Sequence, residues 1–166
     1  MDDVSSHVSP DVSTTEAAAT PLRRLLVPFD GSEPALHATA MACRLARLTG
    51  GAVHLLTAIE PQGLRGLGAA LPAGAIGEAV RGIEQALRAG AEDELQRARD
   101  LCAAAGVPCT SEVVFDVPVR AIAAAAGGAD LIVMGSHGHG VVAGVMLGGV
   151  THRLLGATST PVLVVR

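Results

Sequence analysis

The sequence predicts an α/β fold: three layers, with a doubly wound, five-stranded parallel sheet of the Rossmann-like kind between helices. Three observations predict it. Short apolar runs alternate with helical patterns from residue 22 to the C-terminal residue. The runs are apolar at successive positions, as in strands buried on both faces. The chain has 166 residues, 49% of them hydrophobic, which is enough for one such domain. Right-handed crossovers then wind helices onto both sides of the sheet.

Residues 1–21 are rich in Ser, Thr, Asp and Pro without a sustained period, and read as a disordered tail before a domain over 22–166. Leu25 to Phe29 reads as the first strand, ended by Asp30 and Gly31. Ser32 is placed to cap a helix over Glu33–Thr49, with Pro34 tolerated in its first turn and Gly50-Gly51 ending it. Ala52–Ile59 reads as a second strand and residues 60–76 as a loop. Val80, Ile83, Leu87, Ala91, Leu95, Ala98 and Cys102 recur at helical steps, predicting a helix over about 77–105, with Asp93 and Arg97 an i,i+4 pair. Val107–Phe115 reads as a third strand, and Pro118 opens an Ala-rich helix ending at Gly127-Gly128. Leu131–Met134 is the fourth strand. A short helix over Gly149–Gly156 and a fifth strand over Pro161–Val165 close the chain.

Composition excludes several chemistries. All 12 basic residues are Arg, and Lys, Asn, Tyr and Trp are absent. There is thus no P-loop lysine, no Schiff base and no phenolic acid or base. Phe29 and Phe115 alone make no aromatic platform for nucleic acid. A net charge of -4 supplies no attraction for a polyanion. No apolar run is long enough to span a membrane, and no basic leader precedes an apolar stretch, so a cytoplasmic location is expected. Cys43, Cys102 and Cys109 contain no Cys-x-x-Cys pair and read as free buried thiols.

Ligands of such sheets sit beyond the carboxyl ends of the strands, where the strand order reverses. The segment most suited to binding there is Gly135–Gly149. Its glycines permit close backbone approach, so several N–H groups can converge on one phosphate, and the following helix N-terminus adds more. Neither feature requires lysine. Pattern alone also fits a glycine-rich loop without a ligand.

Residues 25–32, LLVPFDGS, resemble the opening strand and turn of the universal stress protein family. Residues 129–140, ADLIVMGSHGHG, are similar to its fourth strand and loop, and Pro161–Val165 to its closing strand. The resemblance implies an adenine-nucleotide site, for ATP or for ADP or AMP. Gly135, Gly138 and Gly148 match the glycine spacing of the nucleotide-binding members; Gly149 stands where those members carry Ser or Thr. The resemblance further assigns Pro28, Ala58 and Met134 to the adenine slot and Asp30 to the ribose, with Mg2+ bridging it to the phosphates. Val150, Thr151 and His137 would lie near the phosphates, a neutral imidazole donating there and its cation more strongly below about pH 6.5. His139 shares that loop. The resemblance also implies a homodimer paired along the last strand, and at most slow hydrolysis, since Asp30 is the one candidate base. The alternative is a dimeric interaction module that has lost nucleotide at Gly149.

Overall fold

The computed structural model describes residues 21–60, 73–136 and 147–166, with side chains described from residue 77 onward in the middle stretch. The predicted tail and most of the 60–76 loop lie outside the described residues. The strands are β1 (Arg24–Pro28), β2 (Ala52–Ile59), β3 (Cys109–Phe115), β4 (Leu131–Gly135) and β5 (Val162–Val165). The helices are α1 (Glu33–Thr49), α2 (Ala73–Ala104), α3 (Pro118–Ala126) and α4 (Gly149–Leu155). All strand pairings are parallel, in the order β3-β2-β1-β4-β5. The predicted doubly wound sheet is therefore present.

Alternation along each strand divides the core into two. Leu25, Val27, Val53, Leu55 and Val133 face α1 and α2, meeting Ala38, Ala42, Leu95 and Ala98. Leu26, Leu56, Ile132 and Met134 face the other way, against Ile122 of α3 and Leu154 of α4. The small side chains of α1 let it lie close to the sheet. Burying such apolar faces is the main favourable contribution to folding.

Two boundaries differ from the sequence reading by two residues or more, and one ion pair differs in its partner. The helix α2 begins at Ala73, four residues earlier than the sequence reading placed it. β3 begins at Cys109 and not Val107. Gly106, at φ +66°, ends α2 in a left-handed turn, and Val107 N donates back to Cys102 O at 3.0 Å, so those residues belong to the helix stop. Arg97 reaches Glu33 on α1, Nη2 to Oε1 at 3.4 Å. No ion pair joins it to Asp93 among the described residues.

The amino ends of β1 and β4 are tied by Asp130. Its Oδ2 accepts from the backbone N–H groups of Arg24 at 2.8 Å and Arg23 at 3.0 Å, and Oδ1 meets the Arg24 guanidinium at 3.3 Å. The Arg24 N–H, with that guanidinium and the Arg23 N–H, holds the carboxyl below its ordinary range. A carboxyl depressed in the folded state stabilises above its unfolded pKa, and that contribution is lost as pH falls through the folded value. Asp130→Asn is therefore expected to lower Tm at pH 7, with the gap to wild type narrowing as pH drops below about 4. A gap constant down to strongly acid pH, measured by thermal denaturation, contradicts this role.

Candidate functional site

The strand order reverses between β1 and β4. Their ladder pairs only Leu25 with Leu131 and Leu26 with Ile132. Arg24 O accepts from Asp130 N beside β4, while Phe29 N donates to Leu56 O beside β2. By this alternation Pro28 faces β4, and it has no N–H to extend the ladder. A cleft of about 400 Å³ lies at that point.

The first wall is the turn after β1. Gly31 holds φ +78°, a conformation that favours glycine. The turn folds back so that Asp30 Oδ1 accepts from Ser32 N at 3.2 Å and Ser32 Oγ at 2.6 Å. Ser32 Oγ in turn accepts from Ala35 N at 3.3 Å, capping α1. One carboxylate thus fixes both the turn and the start of the helix that bounds the cleft.

The second wall is the end of β4 and the start of α4. Gly135 lies directly under the first turn of α1: a Cβ there would stand 2.7 Å from Pro34 Cβ and 2.8 Å from its carbonyl carbon. Gly148 N donates to Ser136 O at 2.8 Å, so the two ends of the glycine-rich segment meet beside the cleft. Gly148 caps α4 with its backbone alone, leaving the first-turn N–H groups of Gly149 and Val150 without intrahelical partners. Thr151 is buried, and its hydroxyl donates to Gly135 O at 3.4 Å, joining α4 to β4. It therefore does not replace the missing hydroxyl at 149. Among the described residues, the nearest atom to a Cβ built on Gly149 is Arg153 Nη2 at 4.0 Å, so none of them blocks a side chain there.

The cleft collects Pro28, Asp30, Ala58, Met134, Gly135, Gly148, Gly149, Val150 and Thr151, nine of the eleven positions singled out from sequence. The other two, His137 and Gly138, lie outside the described residues. Sequence reasoning missed Phe29, Ala35 and Leu56 on the inner walls and Pro118 and Ile122 on α3. The signal for the last two was available: Pro118 opens the helix after the neighbouring strand. Its approach is set by Asp116, whose Oδ1 accepts from Val117 N at 2.6 Å and Arg120 Nε at 2.7 Å. The Arg120 guanidinium, more than the Val117 N–H, holds the Asp116 carboxyl below its ordinary range.

A second cleft of similar volume lies at the opposite ends of the strands. There His54 Nδ1 is 2.9 Å from Thr110 Oγ1 and Nε2 is 3.2 Å from Glu112 Oε1. It has no glycine-rich segment or helix start beside it. Among the described residues, no group of three or more His, Cys, Asp or Glu side chains is placed to hold a metal, and no helix is long and apolar enough to cross a membrane.

The universal stress protein family model matches residues 21–166. The chain belongs to the universal stress protein family. Universal stress protein Rv2005c of Mycobacterium tuberculosis is 42% identical over 60 residues, 36% of this chain. That match spans a fifth of the length of the curated relative. The solved structure of the hypothetical protein MJ0577 superposes with a TM-score of 0.76 at 25% identity, covering 87% of this chain and 96% of that one. A universal stress protein solved in complex with cAMP has a TM-score of 0.64 at 25% identity, covering 89% and 98%. Architecture and family agree with the sequence reading.

The contact of Gly135 with Pro34 makes position 135 intolerant of any side chain. Gly135→Ala is expected to destabilise the fold by about 1–3 kcal/mol, the usual cost of overpacking. Urea unfolding measures it, and a change below about 0.5 kcal/mol, within the range of an ordinary surface substitution, contradicts the contact.

Proposed function

We propose that this universal stress protein binds an adenine nucleotide in the cleft between β1 and β4, with the base toward Pro28, Ala58 and Met134. The phosphates lie toward Gly148, Gly149 and Val150, and toward the glycine-rich segment with His137 and Gly138. One observation carries the reading: a cleft at the strand-order reversal is lined by residues from both sequence motifs at once. The solved relative in complex with cAMP supports the ligand class. A chain without lysine can meet phosphate with backbone N–H groups and the start of a helix, and this cleft offers both.

The ligand is ATP, ADP or AMP, and the grip on the outer phosphates is the weak part. Gly149 supplies no hydroxyl, and the Thr151 hydroxyl is directed at Gly135 O. Asp30 is exposed at the cleft, but one carboxylate makes no Mg2+ site of its own. The residues fit Mg2+ only as a metal held chiefly by the phosphates, with Asp30 as one ligand. A dimeric interaction module without nucleotide is the competing reading, and Gly149 is what favours it.

Denaturing freshly purified protein is expected to release adenine nucleotide at a substantial fraction of one per chain. Gly149→Ser, which none of the described residues blocks, is expected to raise ATP affinity about tenfold or more by calorimetry, the worth of one hydrogen bond to a charged group. No released nucleotide and no thermal shift from ATP, with or without Mg2+, favours the interaction module instead.

The same reading includes a homodimer. β5 is an edge strand of half-buried valines and leucine, paired on one side only with β4. Such an edge invites pairing with a second copy. Light scattering at twice the chain mass of 16.6 kDa supports this, and the chain mass alone contradicts it.

A further inference from the structure

All three cysteines of the chain meet at one place, although they come from three separate elements. Cys43 lies on α1, Cys102 near the end of α2 and Cys109 at the start of β3. Cys43 Sγ and Cys102 Sγ are 3.4 Å apart. Cys109 packs against the same core cluster as Cys43 and Cys102, and the Cys102 side chain is the main influence on its thiol. The turn at Gly106, which folds the chain back from α2 into β3, brings Cys102 and Cys109 together. Core packing explains why Cys43 and Cys102 are buried in the layer under α1 and α2. It asks only for small apolar side chains there. It does not ask that all three thiols of the chain gather in that one layer.

The three differ in access. Cys43 and Cys102 are 3% and 0% exposed, whereas Cys109 is only partly buried, on an edge strand of the sheet. We propose that these residues form a hydroperoxide-sensitive thiol relay, in which Cys109 is oxidised first and Cys102 resolves it into an intramolecular disulfide. The electrostatics agree with that order. The Cys102 side chain, and after it the Arg99 guanidinium, lower the Cys109 thiol below its ordinary range. The neighbouring Cys109 and Cys43 side chains, together with burial, raise Cys102, which stays protonated. A thiolate, accessible and beside a cation, is the reactive form.

The steps balance as follows. The Cys109 thiolate attacks one oxygen of a hydroperoxide; an S–O bond forms, the O–O bond breaks, and the other oxygen leaves as water or an alcohol after taking a proton. Sulfur gives up two electrons and becomes a sulfenic acid. The Cys102 thiol then attacks the Cys109 sulfur; the S–S bond forms, the S–O bond breaks, and water leaves with the thiol proton. Cys43 is placed to take over by exchange: its thiol attacks Cys102 Sγ and its proton passes to Cys109, which is released as a thiol. Closing 3.4 Å to a disulfide bond of about 2.05 Å requires side-chain rotation of the two residues. The result links α1 to α2.

The test uses the full reduced chain. It is treated with hydrogen peroxide under native conditions, blocked with N-ethylmaleimide and digested with trypsin without reduction. Cys102 and Cys109 share the peptide 100–120, while Cys43 lies in 25–44, so mass spectrometry separates the two disulfides. The expected result is one disulfide per chain containing Cys102, reversed by dithiothreitol. In Cys102→Ser, dimedone is expected to trap a sulfenic acid at Cys109. In Cys109→Ser, disulfide formation is expected to slow about tenfold or more, because the accessible thiolate is gone. Three thiols still free after peroxide, disulfides only between chains, or a Cys109→Ser rate equal to wild type each overturn the relay. The map of the wild-type chain decides the first two without any variant.

Discussion

The cleft depends on one close contact. Gly135, the last residue of β4, lies beneath Pro34 in the first turn of α1, with no space for even a methyl group between them. That contact sets the end of β4 against α1, and α1 is set in turn by the Asp30–Ser32 turn that caps it. From β4 the chain passes through Ser136, whose carbonyl receives Gly148 N and so returns the chain to α4 beside the cleft. Three wall elements are therefore tied to one another by a steric fit and a few hydrogen bonds. The cleft lies where the β1–β4 ladder ends, at Pro28, which has no N–H to give.

This arrangement explains how a chain without lysine can be suited to an anion. Among the described residues that line the cleft no side chain is cationic, so the attraction such a site offers an anion comes from the orientation of backbone groups. The first turn of α4 has no side-chain cap, and Gly149 leaves its N–H groups uncovered. The opposite wall is apolar, with Phe29, Leu56, Ala58, Ile122 and Met134 contributing surface suited to a flat base. The two ends of the cleft thus differ in chemistry as the two ends of a nucleotide do.

The legible part of the fold was that written in short-range pattern. The short apolar runs of β1, β4 and β5, Ser32 before Glu33 and Pro34, and Gly50 after Thr49 each fix an element by local physics, and each stands within a residue of where it was expected. Of the nine cleft positions, Asp30, Ala58, Gly135, Gly148 and Gly149 were legible from their place at strand ends and in the glycine-rich segment, whereas Pro28, Met134, Val150 and Thr151 came from the family resemblance. What the pattern did not carry was set by tertiary contact. Arg97 prefers Glu33 on another helix to Asp93 on its own. The Schellman turn at Gly106 took Val107 away from β3. Phe29 and Ile122 become cleft walls only when the sheet brings β1 and α3 together. Thr151 could be placed near the phosphates from sequence, but the engagement of its hydroxyl with Gly135 O required the packed structure.

The central claim is one of location as well as ligand. Amide chemical shifts recorded during titration with AMP, ADP and ATP test it most directly. The account predicts the largest shifts at Phe29–Ser32 and at Gly135 and Gly148–Thr151, with the amides around His54, Thr110 and Asp130 at the far ends of the strands unmoved. Shifts concentrated at those far ends, or none at saturating nucleotide, would contradict it.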